Sequence, residues 1–218
     1  MKTTVCLVIF LYSFACLSCA DREKVSEKTI QRYALAKEEY AAGNLPEAEA
    51  ALQTLAAEAP NFRRGRFMLA KTVFFQDRAD EAEALLEALL EEMPEYREAE
   101  LFLIRILILE EQYAEAALRT ERLLSLDAED PILLHFRGMI CEQEESLSEA
   151  MSYYRKASLA CKQYPRIFLD LGRIYHIFGL EDSAVENLKK CSMLIESNTG
   201  AKESVDRMID KIERSRTE

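Results

Sequence analysis

Residues 166–195 read RIFLDLGRIYHIFGLEDSAVENLKKCSMLI and contain two amphipathic segments separated by a glycine. The apolar residues of the first segment share one helical face, because they recur at helical spacing: Phe168, Leu171, Tyr175 and Phe178. Gly179 then interrupts the pattern, and a second apolar face begins at Ala184 and continues through Leu188 and Cys191. The stretch therefore predicts a pair of helices joined by a short turn.

The same pattern recurs along the chain with a fixed period. Five alanines lie 34 residues apart: Ala48, Ala82, Ala116, Ala150 and Ala184. Another small residue stands twelve positions before most of them: Ala36, Ala70, Gly138 and Gly172. Small residues on both helices at their crossing allow the two backbones to approach closely. The chain is therefore predicted to contain five repeated helix pairs.

The period, the paired helices and the small residues together resemble the tetratricopeptide repeat, and the resemblance covers residues 29–197. The fifth unit is most similar, because Leu171-Gly172, Tyr175, Gly179 and Ala184 stand at signature positions. The resemblance implies an all-α fold, a right-handed α-solenoid of five helix-turn-helix repeats. The implied repeats are residues 29–62, 63–96, 97–130, 131–164 and 165–198.

Residues 199–218 follow the fifth repeat and show one further helical pattern. Its apolar positions are separated by three or four residues: Val205, Met208, Ile209 and Ile212. A helix with one apolar and one charged face suits the end of a repeat array, where one side meets the last repeat and the other meets water. This segment is predicted to be a C-terminal capping helix.

The N-terminal residues 1–19 have the layout of a secretory signal peptide. Lys2 precedes an apolar run from Val5 to Leu17, and small residues follow. The run is shorter than the roughly 20 residues that span a bilayer as a helix, although an uncleaved membrane anchor stays open as an alternative. The sequence LSCAD around Cys19 resembles the lipobox of bacterial lipoproteins. That resemblance implies cleavage before Cys19 and attachment of acyl chains such as palmitate to it.

Two other processing sites remain open at this end of the chain. Cys16 is a second candidate for lipidation, and Ala20 fits ordinary cleavage that would release a soluble exported protein. With Cys19 lipidated, residues 20–28 are predicted to form a tether, and the acyl chains to hold the protein stably on a membrane. The expected location is the periplasmic face or the cell surface.

Composition argues against several classes of function. The formal net charge of −11 disfavours nucleic-acid binding, which depends on Lys and Arg meeting phosphates. No catalytic motif or phosphate-binding loop occurs, and the three cysteines beyond the signal-peptide segment form no CxxC pair, so no catalytic residue, metal site or cofactor is predicted. Cys141, Cys161 and Cys191 lie in helical patterns and are predicted to be buried thiols, with a Cys161–Cys191 disulfide as the alternative.

The resemblance also predicts a partner-binding groove, because in this family the first helix of each repeat faces a concave channel. Four of the five residues at the ninth position of those helices are basic: Lys37, Lys71, Arg105, Met139 and Arg173. The predicted groove residues are Tyr33, Lys37, Phe67, Lys71, Phe74, Leu101, Phe102, Arg105, His135, Phe136, Arg173 and His176. The alternative is that these side chains form ordinary intramolecular ion pairs and core contacts.

The predicted function is a non-enzymatic scaffold or adaptor of the bacterial cell envelope. Its partner would be an envelope protein presenting a segment with apolar anchors and acidic groups or a free carboxylate. The alternative function is a small-ligand-binding accessory protein of an envelope transport system, with the aromatic groove around an apolar molecule.

Overall fold

The computed structural model describes residues 26–195 and 200–215, and within these ranges every regular element is an α-helix. In chain order the helices are α1 (Glu27–Ala42), α2 (Leu45–Glu58), α3 (Arg63–Phe74), α4 (Ala79–Glu92), α5 (Arg97–Leu109), α6 (Tyr113–Leu124), α7 (Pro131–Gln143), α8 (Leu147–Ala160), α9 (Pro165–Ile177), α10 (Glu181–Leu194) and α11 (Gly200–Ser215). The predicted all-α class is confirmed. The predicted signal peptide and both candidate lipidation sites, Cys19 and Cys16, lie outside the described residues.

The first helix begins earlier than the sequence pattern indicated. Ser26 caps α1, because its side-chain oxygen accepts a hydrogen bond from the backbone N–H of Thr29 at 3.1 Å. Such a cap satisfies one of the free N–H groups at a helix start. The prediction that residues 20–28 form a tether is therefore wrong at its end, since Glu27 and Lys28 belong to the helix.

The turn inside each helix pair has the same backbone conformation. In each pair, a single residue of the turn that follows the first helix adopts a positive φ angle. These residues are Gly43 (82°), Asp77 (60°), Glu111 (61°), Glu145 (60°) and Gly179 (69°). They lie 34 residues apart, so the repetition found in the sequence is also present in the backbone. Only two of them are glycines, for which this conformation carries no steric cost.

Contacts divide the described chain into two compact units, with the boundary between Leu85 and Leu86 inside α4. In the first unit, α1 packs on α2 and α2 packs on α3. Its core includes the small residues Ala36 and Ala48, both of which are buried. Buried Leu52 and Leu55 of α2 add the large apolar side chains.

In the second unit the predicted close helix crossings are present. A Cβ atom added to Gly138 of α7 would lie 2.5 Å from two ring carbons of Tyr154 on α8. A Cβ atom added to Gly172 of α9 would lie 2.7 Å from Cγ of Leu188 on α10. At both positions a side chain of any size would displace its neighbour, so glycine is needed for the observed helix separation.

The last helix, α11, closes the apolar core of the second unit. Its residues Val205, Ile209 and Ile212 are buried and pack with Phe168 of α9 and Leu188 of α10. They lie on one face, as the spacing predicted, and most of the other positions of the helix are charged. None of the helices in the described part of the chain is both long enough and apolar enough to cross a bilayer.

Candidate functional site

The first helix places three of its polar and aromatic side chains on one face. Tyr33, Lys37 and Tyr40 are separated by four and three residues, which brings them together on the surface of α1. The ammonium group of Lys37 lies 6.0 Å from the centre of the Tyr33 ring. Lys37 is exposed and forms no ion pair with any described residue.

Helix α3 brings a second lysine to the same aromatic side chains. The ammonium group of Lys71 lies 5.6 Å from the centre of the Tyr40 ring and 5.8 Å from that of Phe67. Phe74 contacts Phe75 edge to face, and Phe75 in turn contacts Tyr40. We call this the aromatic–lysine surface, and its members are Tyr33, Lys37, Tyr40, Phe67, Lys71, Phe74 and Phe75.

The chemistry of this surface follows from its rings and cations. Burial raises the pKa of Tyr33 and of Tyr40, so both phenols stay neutral at physiological pH. A neutral ring face attracts a cation within about 6 Å, which holds each lysine against an apolar platform. The ammonium group has three N–H donors and can still bind a carboxylate. The surface can therefore bind apolar side chains and an acidic group together.

The predicted groove residues of α5 do not all reach the surface. Arg105 is exposed and forms neither an ion pair nor a hydrogen bond with any residue that the structure describes. Leu101 is half-buried, whereas Phe102 is buried. The prediction that Phe102 lines an accessible groove is therefore wrong, because its ring is part of the apolar core.

Two predicted groove residues on α7 are also buried, so that prediction is wrong for His135 and Phe136. His135 is 1% exposed, and its Nε2 atom lies 2.9 Å from Oδ2 of Asp170 on α9. Phe136 is buried beside it. The physical reason is that α7 packs closely against α8, and the His135 ring is also covered by Tyr154, Tyr164 and the Asp170 carboxylate.

The two predicted residues on α9 are already engaged within the molecule. Arg173 donates hydrogen bonds to Asp170 at 3.1 Å and to Glu142 at 3.0 Å. The Nδ1 atom of His176 lies 2.8 Å from a carboxylate oxygen of Glu181. For these two side chains the structure supports the alternative of intramolecular polar contacts.

The carboxylate of Asp170 is the centre of a buried polar cluster that the sequence did not reveal. Its Oδ2 atom contacts His135 and accepts a hydrogen bond from Arg166 at 2.8 Å, while its Oδ1 atom accepts one from Arg173. Burial alone would raise the pKa of Asp170, but the hydrogen bonds from His135 and Arg166 hold it below its ordinary value. We call these residues, together with Glu142 and Tyr154, the His135–Asp170 cluster.

The remaining members extend this cluster to α8. The hydroxyl of Tyr154 donates a hydrogen bond to Glu142 at 2.8 Å, and Glu142 also accepts one from Arg173. Burial raises the pKa of Tyr154, so its hydroxyl keeps its proton. Every charged member is thus engaged by another member, which is the arrangement of a structural network that joins three helices.

Other reactive groups do not assemble into a site within the described residues. No three His, Cys, Asp or Glu side chains of that part converge so that they could hold a metal ion. Cys141, Cys161 and Cys191 are free thiols rather than disulfide partners. Burial raises the pKa of Cys141 and of Cys191, which keeps both thiols protonated and unreactive.

Comparisons with known proteins identify the family. Two models described as tetratricopeptide repeat match the sequence, one over residues 33–97 and the other over residues 74–140. The sequence matches no curated protein closely enough to count as a relative.

Solved structures share the fold at low sequence identity. MamA from Desulfovibrio magneticus RS-1 is 16% identical with a TM-score of 0.63, over 78% of this chain and 96% of that chain. A thermophilic TPR protein of Thermus thermophilus is 16% identical with a TM-score of 0.69, over 84% of this chain and 98% of that chain. PilW is 18% identical with a TM-score of 0.70, over 86% of each chain. The chain belongs to the tetratricopeptide repeat family.

Proposed function

We propose that this chain is a non-enzymatic scaffold of the bacterial cell envelope that binds a segment of another protein on its aromatic–lysine surface. One observation carries the proposal. The ammonium groups of Lys37 and Lys71 lie 5.6 to 6.0 Å from the centres of three aromatic rings on α1 and α3. Cations held against aromatic rings provide the two kinds of contact that a segment with apolar and acidic side chains requires.

The chemistry of the surface selects the kind of segment. Its rings offer apolar contact area that loses little conformational freedom on binding, because each ring has only two side-chain torsions. Its lysines attract carboxylates and repel other cations. The preferred segment therefore combines aromatic or aliphatic anchors with Asp, Glu or a free C-terminal carboxylate.

The proposal that the protein is not an enzyme rests on the side chains that could otherwise act in catalysis, because these are engaged with one another. His135 and Asp170 are buried and bonded to each other, so neither is available to a substrate. Tetratricopeptide repeats act mainly as interaction modules, and function on such a fold is set by the site that it presents. The aromatic–lysine surface offers binding groups but no pairing of a nucleophile with a base.

Two considerations support a place in the envelope. The sequence resembles a lipoprotein precursor, with Cys19 as the proposed lipidation site and Cys16 as the alternative. PilW, whose structure resembles this one, is described as a type IV pilus biogenesis factor. We therefore infer a partner among envelope proteins rather than among nucleic acids or soluble metabolites.

The binding proposal is tested by charge reversal on the aromatic–lysine surface. The full chain carrying Lys37→Glu with Lys71→Glu is expressed in its host, crosslinked in intact cells and purified, and its partners are identified by mass spectrometry. We expect recovery of the specific partner to fall about tenfold or more, because each reversed charge would repel the acidic segment. The matched control is Arg207→Glu with Lys211→Glu, two exposed positions on α11.

The two outcomes are distinct once folding has been checked by circular dichroism. Loss of one partner in the α1 and α3 variant, with the same partner kept in the α11 control, supports the proposal. Equal recovery of that partner from both variants would show that the aromatic–lysine surface does not bind it.

The proposed anchor is tested separately, by the intact mass of the protein purified from membranes. We expect an acylated chain that begins at Cys19, and the acyl mass should disappear in Cys19→Ala. Acylation that persists in Cys19→Ala and is lost in Cys16→Ala would assign the site to Cys16. An unacylated chain that begins after Ala20 would refute the anchor without bearing on the aromatic–lysine surface.

A further inference from the structure

A second surface with an unusual composition lies on α8, the residues just after it, and α10, and it shares no residue with the aromatic–lysine surface. Two open pockets adjoin there, and Leu159 lines both of them. We call it the basic–apolar face, and it consists of Arg155, Lys156, Leu159, Lys162, Lys190 and Met193. All of these residues belong to the second compact unit.

The apolar members of this face project into solvent. Leu159 is 77% exposed and Met193 is 74% exposed. They lie 34 residues apart, so they occupy the same position in successive repeats. Single exposed apolar residues are common on protein surfaces and need no explanation. Here two large ones stand at equivalent positions and line the same pocket.

Positive charge surrounds these two side chains. Arg155 and Lys162 form no ion pair with any described residue, and Lys156 lies 5.4 Å from the centre of the Tyr153 ring. Lys190 is the exception, because it pairs with Glu186 at 2.7 Å. Neither Asp nor Glu is among the residues that line the two pockets. The cluster is basic within a chain of net charge −11.

Two positions of this face are acidic in earlier repeats, whereas the position of Lys156 is already basic one repeat earlier, at Arg122. The position of Arg155 is occupied by Glu121 one repeat earlier and by Glu87 two repeats earlier. The position of Leu159 is occupied by Glu91 two repeats earlier. Glutamates such as these are sufficient to keep a helix face hydrated. The change to cations around Leu and Met therefore points to an anionic, partly apolar neighbour at this end of the chain.

We infer that the basic–apolar face docks on the surface of an anionic lipid bilayer. Long basic side chains around projecting Leu and Met suit the headgroup region, where the cations meet lipid phosphates and the apolar tips enter the acyl boundary. The attachment proposed at Cys19 would already keep the protein at a membrane. The inference does not depend on that anchor or on the partner of the aromatic–lysine surface, because its residues are separate from both.

The absence of tryptophan from the chain provides a direct test. The full chain carrying Leu159→Trp is mixed with vesicles of phosphatidylethanolamine and phosphatidylglycerol whose acyl chains carry bromine, a contact quencher. We expect a blue shift of the emission and strong quenching, because the introduced indole enters the acyl boundary. The matched control is Ser125→Trp, which places the indole one repeat earlier at the equivalent position.

Charge and lipid composition should control the signal. Arg155→Glu with Lys162→Glu in the Leu159→Trp background should weaken the contact at least about 25-fold, at about fivefold for each of the two cations removed. Phosphatidylcholine vesicles, or about 1 M salt, should abolish it, since screening then acts within about 3 Å. Lys37→Glu with Lys71→Glu should leave it unchanged, which separates this inference from the proposed partner-binding function.

Three results would overturn the inference. The first is a vesicle-bound chain whose indole at position 159 stays unquenched. The second is quenching as strong at position 125 as at position 159, which would indicate contact without a specific face. The third is protection of the indole by an acidic protein when no lipid is present, which would assign the face to a protein partner.

Discussion

The carboxylate of Asp170 offers the most informative perturbation of this molecule. Asp170 is 1% exposed and is held by His135, Arg166 and Arg173. The substitution Asp170→Asn keeps the size of the side chain and removes its charge. We expect the protein to fold with a lower free energy of unfolding, because His135 would lose its ionised acceptor within the core.

The magnitude follows from the exposure of the three partners. A buried group left without its charged partner costs about 1 to 3 kcal/mol, and this applies to His135. The side chains of Arg166 and Arg173 are 52% and 41% exposed, so water replaces part of each lost bond and each contributes only about 0.5 kcal/mol. The sum is about 2 to 4 kcal/mol, or a decrease in melting temperature of roughly 5 to 12 °C for a chain of this size.

The effect should also depend on pH in a defined direction. The pKa of Asp170 is lowered in the folded protein from an ordinary value of 3.8, so its contribution to stability is complete above that pH. It is lost as the pH falls through the lower folded-state pKa, because the folded protein then takes up the proton that it had resisted. The stability difference between wild type and Asp170→Asn should therefore be largest near neutral pH and shrink under acidic conditions.

The assay is thermal and urea unfolding of the full chain, followed by far-ultraviolet circular dichroism at neutral and acidic pH. The control is Asp210→Asn on α11, an exposed carboxylate 3.8 Å from Arg214, for which we expect a change within about 0.5 kcal/mol. A variant Asp170→Asn as stable as wild type at neutral pH would refute the reasoning. A difference that stayed constant into acid would show that charge is not its source.

Two further predictions concern backbone positions and use the same unfolding measurements. Gly138→Ala should lower the free energy of unfolding by about 1 to 2 kcal/mol, because overpacking against the buried Tyr154 ring exceeds the gain in helix propensity. The control is Gly200→Ala at the start of α11, which should not destabilise the protein, because no neighbouring atom lies within 4 Å of the added Cβ. Glu111→Gly should raise the free energy of unfolding by about 0.5 to 1 kcal/mol, because glycine adopts the positive φ angle without the steric strain of a side chain. Gly43→Ala should lower it by about 1 kcal/mol, because it introduces that strain. A destabilising Glu111→Gly or a neutral Gly138→Ala would contradict these assignments.

The helical repeat could be predicted from the sequence because it depends on local spacing. Gly138 and Gly172 stand where the helices approach most closely, and the period alone indicated both positions. The apolar residues of α11 were likewise identified from their spacing. The start of α1 was missed, because one serine hydroxyl at Ser26 caps the helix and the repeat pattern contains no information about it.

The candidate site was harder to predict, because accessibility depends on partners that are distant in the sequence. His135 looked like a groove residue, but it is covered by a contact with Asp170, 35 residues later. Nothing local to either residue indicates that pairing. The contacts of Lys37 with Tyr33 and of Lys71 with Phe67 are local, because each pair lies four residues apart on one helix, although whether these residues bind a partner stays a prediction.

The turns with positive φ bear on how proteins of this kind are detected. At three of the five turns this position is an acidic residue rather than glycine, and its φ angle is 60° or 61°. The same backbone conformation is therefore formed by Gly, Asp and Glu within this one chain. A sequence-motif search that requires glycine at this turn would detect Gly43 and Gly179 and would miss the three turns between them. The solved structures named above likewise share the fold at 16% to 18% identity, with TM-scores of 0.63 to 0.70.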